Sequence, residues 1–247
     1  MILHVYTSDD VWLRAASEFI FSGLSEAREV RNAREAPQRS LHLCLAGGAT
    51  PKPIYEALAR DPQCAEIANA RSIHLWVGDE REAEPGSGFR NSEMIAAAFK
   101  YSPTAFVLHQ WPPGRRALAA RTYEEELSTF ASERVRANQP IFDLTILGMG
   151  EDGHTAGLFS LDDFQSPADS LKRATILPNS LVMLTEAPQE PKSRMTLAPE
   201  ILRSSRRILV LMQGLTKVRV LIANLVGERE DPIKHFLNET CEVIARI

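Results

Sequence analysis

The sequence predicts an α/β fold in which a largely parallel sheet is flanked by helices, and three observations carry that expectation. Short apolar runs recur along the chain, several of them continuous, as at residues 41–46, 73–77 and 141–147; runs buried on both faces suit a sheet covered by helices. Helix-length stretches lie between the runs, and such alternation builds parallel sheets. Polar, glycine-containing segments follow three of the runs, at 47–50, 78–81 and 148–154, where the strand ends of open α/β sheets hold ligands.

A first strand over residues 2–6 leads to a helix over 10–31. The strand at 41–46 runs into Gly47-Gly48-Ala49-Thr50-Pro51. There the glycines allow close backbone approach, Thr50 can cap a helix and Pro51 suits its first position, so a helix is expected over 51–60. The strand at 73–77 is followed by a flexible loop, Pro85-Gly-Ser-Gly-Phe89, then by a helix over 91–100 and a strand over 105–108. Trp111-Pro-Pro-Gly114 reads as a turn before a helix over 117–137, whose Tyr123-Glu-Glu-Glu-Leu127 stretch is a solvated face rather than an acidic binding patch. After the strand at 141–147 come a strand over 181–184, a helix over 196–204, a strand over 208–212 and a helix over 216–226. No linker, repeat or low-complexity tract divides the chain, so residues 1–247 are expected to form a single domain.

With 44% of 247 residues hydrophobic, the chain can bury a substantial core. A net charge of −4 supplies no electrostatic footprint for nucleic acid, and no apolar run approaches the roughly eighteen residues of a membrane span. The opening Met1-Ile-Leu-His-Val-Tyr6 lacks the basic flank and long apolar stretch of a signal peptide, and the cysteines are three in number and widely spaced. These features point to a reducing cytoplasm. Cys44, Cys64 and Cys241 lack metal-ligand spacing; His42 and Cys44 would share a strand face, but as buried side chains, and no metal is expected. His4, His42, His74, His109 and His235 sit singly on expected strands or turns and are read as structural.

The richest segment is Ile141-Phe-Asp-Leu-Thr-Ile-Leu-Gly-Met-Gly-Glu-Asp-Gly-His154-Thr-Ala-Gly-Leu-Phe159, an apolar strand entering a glycine-rich turn that carries Asp152 and His154. A carboxylate and an imidazole two residues apart can work together on a small substrate. The turn also matches the dinucleotide fingerprint through Gly148, Gly150 and Gly153. Glu151 and Asp152 place negative charge where the pyrophosphate would sit, Pro167 interrupts the following helix, and Lys172 and Arg173 stand where an acidic residue should follow. The cofactor reading therefore fails. A phosphate fits better at residues 47–51, whose unpaired N–H groups lie at a helix start. Each charge-assisted hydrogen bond adds about 1.5 to 3 kcal/mol, so cations should complete such a site. Arg194, expected just before a helix, and Lys217, just after a strand, are placed for it.

In order along the chain, Gly47-Gly-Ala-Thr-Pro51, Trp76-Val-Gly-Asp-Glu-Arg81 with Asn91, the segment 147–159, Arg194-Met-Thr-Leu197 and Gly214-Leu-Thr-Lys217 resemble the 6-phosphogluconolactonases. That resemblance implies a modified Rossmann-like fold shared with glucosamine-6-phosphate deaminases, and hydrolysis of 6-phospho-D-glucono-1,5-lactone to 6-phosphogluconate in the oxidative pentose phosphate pathway. It implies no metal and no organic cofactor. It places the phosphate at Gly47, Gly48, Ala49 and Thr50 with Arg194 and Lys217, and makes His154 the general base with Asp152 fixing its tautomer. Arg81 would stabilise the oxyanion or hold substrate hydroxyls, while Asp79 and Glu80 would shape the polyol pocket; the alternative for Asp79, Glu80 and Arg81 together, read from the residues themselves, is a buried ion-pair network supporting the loops. The expected partner is the phosphorylated sugar lactone, with the protein a monomer or weak homo-oligomer. The chain departs from the family's usual pattern at Ala46 and Ala49, where serine or threonine is common, at Arg90 ahead of Asn91, where serine is frequent, and from Asn238 onward, where the family's frequent aspartate and alanine ending is absent.

Two other readings compete. A glucosamine-6-phosphate deaminase would use a similar phosphate site with Asp79 as base. The sequence after His154, Thr-Ala-Gly-Leu-Phe159, follows the lactonases, whereas the deaminases resemble His-Ile-Ala-Phe-Asn-Glu there. A sugar-phosphate sensor would need a DNA-binding segment for which residues 1–31 leave little room, and it has no use for the Asp152/His154 pair.

Overall fold

The strand Leu41–Leu45 (β2) is buried along its whole length, and its alternate residues serve two layers. Leu43 and Leu45, with Ile73 and Leu75 of β3 (Ile73–Val77), gather against Ile20 and Leu24 of α1 (Asp9–Glu29) and Tyr55 and Leu58 of α2 (Lys52–Arg60). On the opposite face, His42 and Trp76 stack on Phe130 of α5 (Arg116–Arg136). A strand with both faces covered must be apolar throughout, which is why the sequence shows continuous runs.

In the computed structural model, residues 1–29, 40–70, 72–102, 106–164 and 180–247 are described, the side chains of 26–29 and 68–70 excepted. Among them, seven strands form one sheet in the order β1-β10-β9-β6-β2-β3-β5, and every pairing in it is parallel. Besides β2 and β3, its members are β1 (Ile2–Tyr6), β5 (Phe106–His109), β6 (Phe142–Gly148), β9 (Ser205–Gln213) and β10 (Cys241–Arg246). From β2 the chain winds outward through β3 and β5, and from β6 it winds the other way through β9 and β10. The switch in direction lies between β2 and β6, where an open α/β sheet forms its ligand crevice.

A second, antiparallel sheet orders β4 (Asp79–Arg81), β8 (Ser193–Leu197) and β7 (Val182–Glu186). It pairs Arg81 with Arg194 and Asp79 with Thr196. Residues 181–184, expected to extend the parallel sheet, belong here. The helix expected over 196–204 is replaced by β8 and a short α6 (Pro199–Arg203), because Pro199 starts a helix and Arg194-Met-Thr-Leu197 alternates as a strand. Residues 241–246, to which the sequence assigns no element, form the parallel strand β10, held between β9 and β1 by Val243, Ile244 and their neighbours. Helix α3 (Pro62–Ala70) adds to the expected set; α4 (Asn91–Phe99) and α7 (Leu215–Leu225) lie close to their expected bounds. The expected helix end at Arg31, the strand start at Ala105, and Pro167, Lys172 and Arg173 fall outside the described residues.

The core closes around aromatic side chains whose polar atoms are satisfied: Trp12 donates to the Ile244 carbonyl, and Trp111 and Tyr123 both donate to that of Val77. The three cysteines are buried and unpaired, and burial pushes the Cys64 and Cys241 thiols up to about 12. Among the described residues no helix is long and apolar enough to cross a membrane, and no cluster of His, Cys, Asp or Glu suits a metal.

Candidate active site

The ends of β2 and β6 open onto a cleft of about 300 Å³, near the lower limit for small-molecule sites. Gly47, Gly48, Ala49, Thr50, Asp79, Arg81, Asn91, His154 and Lys217 line it. Gly48 takes φ +98°, a conformation costly for other residues, which turns the loop back toward the start of α2. Helix α2 starts one residue later than expected. Pro51 is its N-cap, no side chain caps it, and Thr50 lines the cleft. A Cβ on Gly47 would overlap the Asn91 amide, so only glycine lets this loop pass so close to α4. Lys217 arrives from the first turn of α7. Burial lowers its ammonium pKa, against the pull of Glu151 and Asp152.

The turn after β6 holds Asp152 and His154. Nδ1 of His154 lies 2.5 Å from Oδ1 of Asp152, and the same oxygen accepts the His154 backbone N–H at 3.2 Å. An ionised carboxylate only accepts, so the imidazole donates from Nδ1 and leaves Nε2 bare for chemistry. Burial works against ionisation of Asp152, yet the His154 imidazole and N–H together hold its carboxyl below the usual range. Phe159 supports the ring, with centroids 4.7 Å apart. The glycines of the apparent dinucleotide fingerprint have local reasons. A Cβ on Gly150 would overlap both His154 and Asp152, and one on Gly153, at φ +85°, would overlap Asp231.

The strand β4 divides its three residues between roles. Asp79 faces the cleft; burial pushes its carboxyl up, against the nearby Arg81 guanidinium, and its Oδ2 accepts from the Asn91 amide at 3.1 Å. Arg81 donates to the Phe89 carbonyl and to Asn91 Oδ1, which fixes its guanidinium at the cleft wall. Glu80 does not line the cleft. It is wholly buried and accepts the N–H groups of Arg81, Asn91 and Ser92, the last two at the N-terminus of α4, with Arg90 3.6 Å away. That is the ion-pair network the sequence left open for it, and Arg90 belongs to it.

Arg194 is also absent from the cleft lining. On β8 it lies beside Arg81, buried, with its guanidinium over the Phe159 ring and Nη1 without a hydrogen-bond partner among the described residues. Of the cations the sequence singles out, Arg81 and Lys217 line the cleft and Arg194 stands behind Arg81. The sequence left Asn91 without a role and gave no hint of the contacts made by Asn224, Arg229 and Asp231 behind the turn of Asp152 and His154.

The family model for glucosamine-6-phosphate isomerases/6-phosphogluconolactonase matches residues 15–244. A 6-phosphogluconolactonase from Synechocystis sp. is 33% identical over 196 residues, 77% of this chain and 73% of that protein. The rabbit (Oryctolagus cuniculus) GDH/6PGL endoplasmic bifunctional protein is 31% identical over 198 residues; the match takes in 76% of this chain but 22% of that longer protein. Among solved structures, the 6-phosphogluconolactonase of Thermotoga maritima superposes with a TM-score of 0.75 at 25% identity, covering 99% of this chain and 98% of that one. With its parallel sheet, its glycine loop and its Asp152/His154 turn in these places, the chain belongs to the glucosamine-6-phosphate isomerase/6-phosphogluconolactonase family.

Proposed function

We propose that this protein hydrolyses 6-phospho-D-glucono-1,5-lactone to 6-phosphogluconate, with His154 as general base. The observation that carries the reading is one cleft lined by two chemically distinct groups: the loop 47–51 with Lys217, and the imidazole of His154 backed by Asp152. The first suits a phosphate and the second a water molecule, and a phosphorylated sugar lactone carries both an anion to hold and a carbonyl to attack. The names of the relatives point the same way.

In the proposed reaction Nε2 of His154 takes a proton from water as its oxygen attacks the lactone carbonyl carbon. Arg81, on the cleft wall, would receive the resulting oxyanion, with the Asp152 carboxylate beside the imidazolium. The bond from that carbon to the ring oxygen then breaks, and the imidazolium returns its proton to the departing oxygen. The products are a hydroxyl and a carboxylic acid that ionises in water. Asp79 and Asn91, on the wall beside Arg81, would receive the sugar hydroxyls. A positioned base contributes about 10² to 10⁴ in rate.

The test generates the lactone in place from glucose 6-phosphate at slightly acidic pH, where spontaneous opening is slow, and couples 6-phosphogluconate formation to NADPH production. Acceleration over the spontaneous rate is expected. No acceleration by folded protein would overturn the reading and make glucosamine 6-phosphate the next substrate to assay.

A further inference from the structure

Behind the catalytic turn, the segment after α7 grips the backbone on which the acid–base pair is built. Arg229 donates from Nη2 to the Asp152 carbonyl at 3.0 Å. The Ile233 N–H donates to the Gly153 carbonyl at 3.1 Å. Between them the Asp231 side chain occupies the space a Cβ on Gly153 would need, so the positive φ of Gly153 and the place of Asp231 fit one another. Asp231 is itself fixed on three sides. Its carboxylate accepts from Arg229 Nε at 2.7 Å and Nη2 at 3.0 Å and from Asn224 Nδ2 at 2.6 Å, while its N–H donates to Asn224 Oδ1 at 2.8 Å. Asn224 is buried in α7, the helix that presents Lys217 to the cleft.

We propose that Arg229 and Asp231 are positioning residues for the reaction: they hold the Asp152–Gly153 backbone so that the Asp152 carboxylate meets Nδ1 of His154 and only Nε2 faces the substrate. The physical need is plain from the exposure of the pair. Asp152 and His154 retain 51% and 33% of their side-chain surface, and packing alone does not fix side chains so open to water. A carboxylate two residues from the imidazole on a glycine-flanked turn samples many orientations unless its backbone is pinned, and a displacement of about 1 Å can cost about 10²-fold in rate. Arg229 pins the carbonyl of Asp152, and Asp231 sets the guanidinium in place. Because Asn224 belongs to the helix of Lys217, the cation end and the base end of the cleft are braced by one element.

This inference rests on the lactonase reading, and the experiment separates the two. Arg229 lies at the surface, so Arg229→Ala should keep the fold; Asp231→Asn is the second variant. Three quantities are measured for each: kcat for the lactone, inhibition by 6-phosphogluconate, and the imidazole 15N shifts of His154. Expected for Arg229→Ala are a fall in kcat of about tenfold or more, inhibition within about twofold of wild type because the phosphate end is untouched, and a mixed His154 tautomer in place of one with Nε2 unprotonated. Added guanidinium at sub-denaturing concentration should recover part of the lost rate in Arg229→Ala and none in His154→Ala. Wild-type kcat with an unchanged tautomer in both variants would overturn the proposal. So would a matched loss of rate and of inhibition without guanidinium rescue, which marks a general loosening. If the wild-type protein itself fails to open the lactone, the functional reading falls, and the His154 tautomer in Arg229→Ala still decides whether the pair is positioned from behind.

Discussion

Gly150→Ala separates catalysis from stability in one methyl group. Gly150 does not sit at positive φ, so its backbone accepts alanine without strain. The added Cβ overlaps three heavy atoms: Nδ1 and Cε1 of His154 and Oδ1 of Asp152. To regain ordinary packing distances of about 3.5 Å those atoms must retreat by about 1 Å. The side chains that move are partly exposed, 33% for His154 and 51% for Asp152, so they yield into solvent at little cost to folding. A stability change within about 0.5 kcal/mol is expected, as for surface substitutions. The same 1 Å shift breaks the 2.5 Å bond between the pair and mis-aims Nε2, and a fall in kcat of about 10²-fold is expected. The assay pairs thermal unfolding with the coupled lactone measurement. Gly153→Ala gives the contrast, since there both the positive φ and the overlap with Asp231 attack the fold itself. Wild-type kcat in Gly150→Ala would refute the claim that this glycine exists to seat the acid–base pair.

Three further outcomes test other parts of the molecule. Burial, with His74 and His109 adding, lowers the His42 pKa to about 3, and its Nδ1 accepts the Trp76 indole N–H. The folded imidazole stays neutral where the unfolded one binds a proton. Stability is therefore complete above about pH 6.5 and falls toward pH 3, by about 1.4 kcal/mol per pH unit for this group; urea titrations of His42→Gln should show a shallower slope, and an unchanged slope would contradict the assignment. Lys217 loses its charge below the ordinary lysine range because burial lowers its pKa. Inhibition by 6-phosphogluconate should therefore weaken with rising pH before that range is reached, and Lys217→Arg should abolish the trend. Glu80→Gln removes the charge that receives three N–H groups and faces buried Arg90, so a loss of about 2 to 4 kcal/mol and a raised KM through a displaced Asn91 are expected. An unchanged melting temperature would remove Glu80 from its structural role.

Much of the parallel sheet could be read from the chain because strands buried on both faces announce themselves as continuous apolar runs, as β2 and β6 do. The second sheet was hidden for the opposite reason. Strand β4 is Asp-Glu-Arg, three residues with no apolar period, and it exists because β8 offers it an antiparallel edge. Residues 241–246 are apolar in a way that suits helix or strand, and only the vacant place between β1 and β9 decides for strand. At the site, the spacing of Asp152 and His154 was visible because both partners lie on one turn. That Arg81 and Arg194 stand side by side was not visible, since it depends on the pairing of β4 with β8, more than a hundred residues apart. Nor could sequence spacing reveal that Asp231, some eighty residues away, fills the space left by Gly153.

The most direct test of the central claim is the turnover of in situ lactone by His154→Ala beside the wild-type protein, with 6-phosphogluconate inhibition as the measure of an intact phosphate end. A fall in kcat of about 10² to 10⁴ with inhibition preserved within about twofold is expected if His154 is the base. Full turnover by His154→Ala would contradict that mechanism, even if the lactone proved to be the substrate.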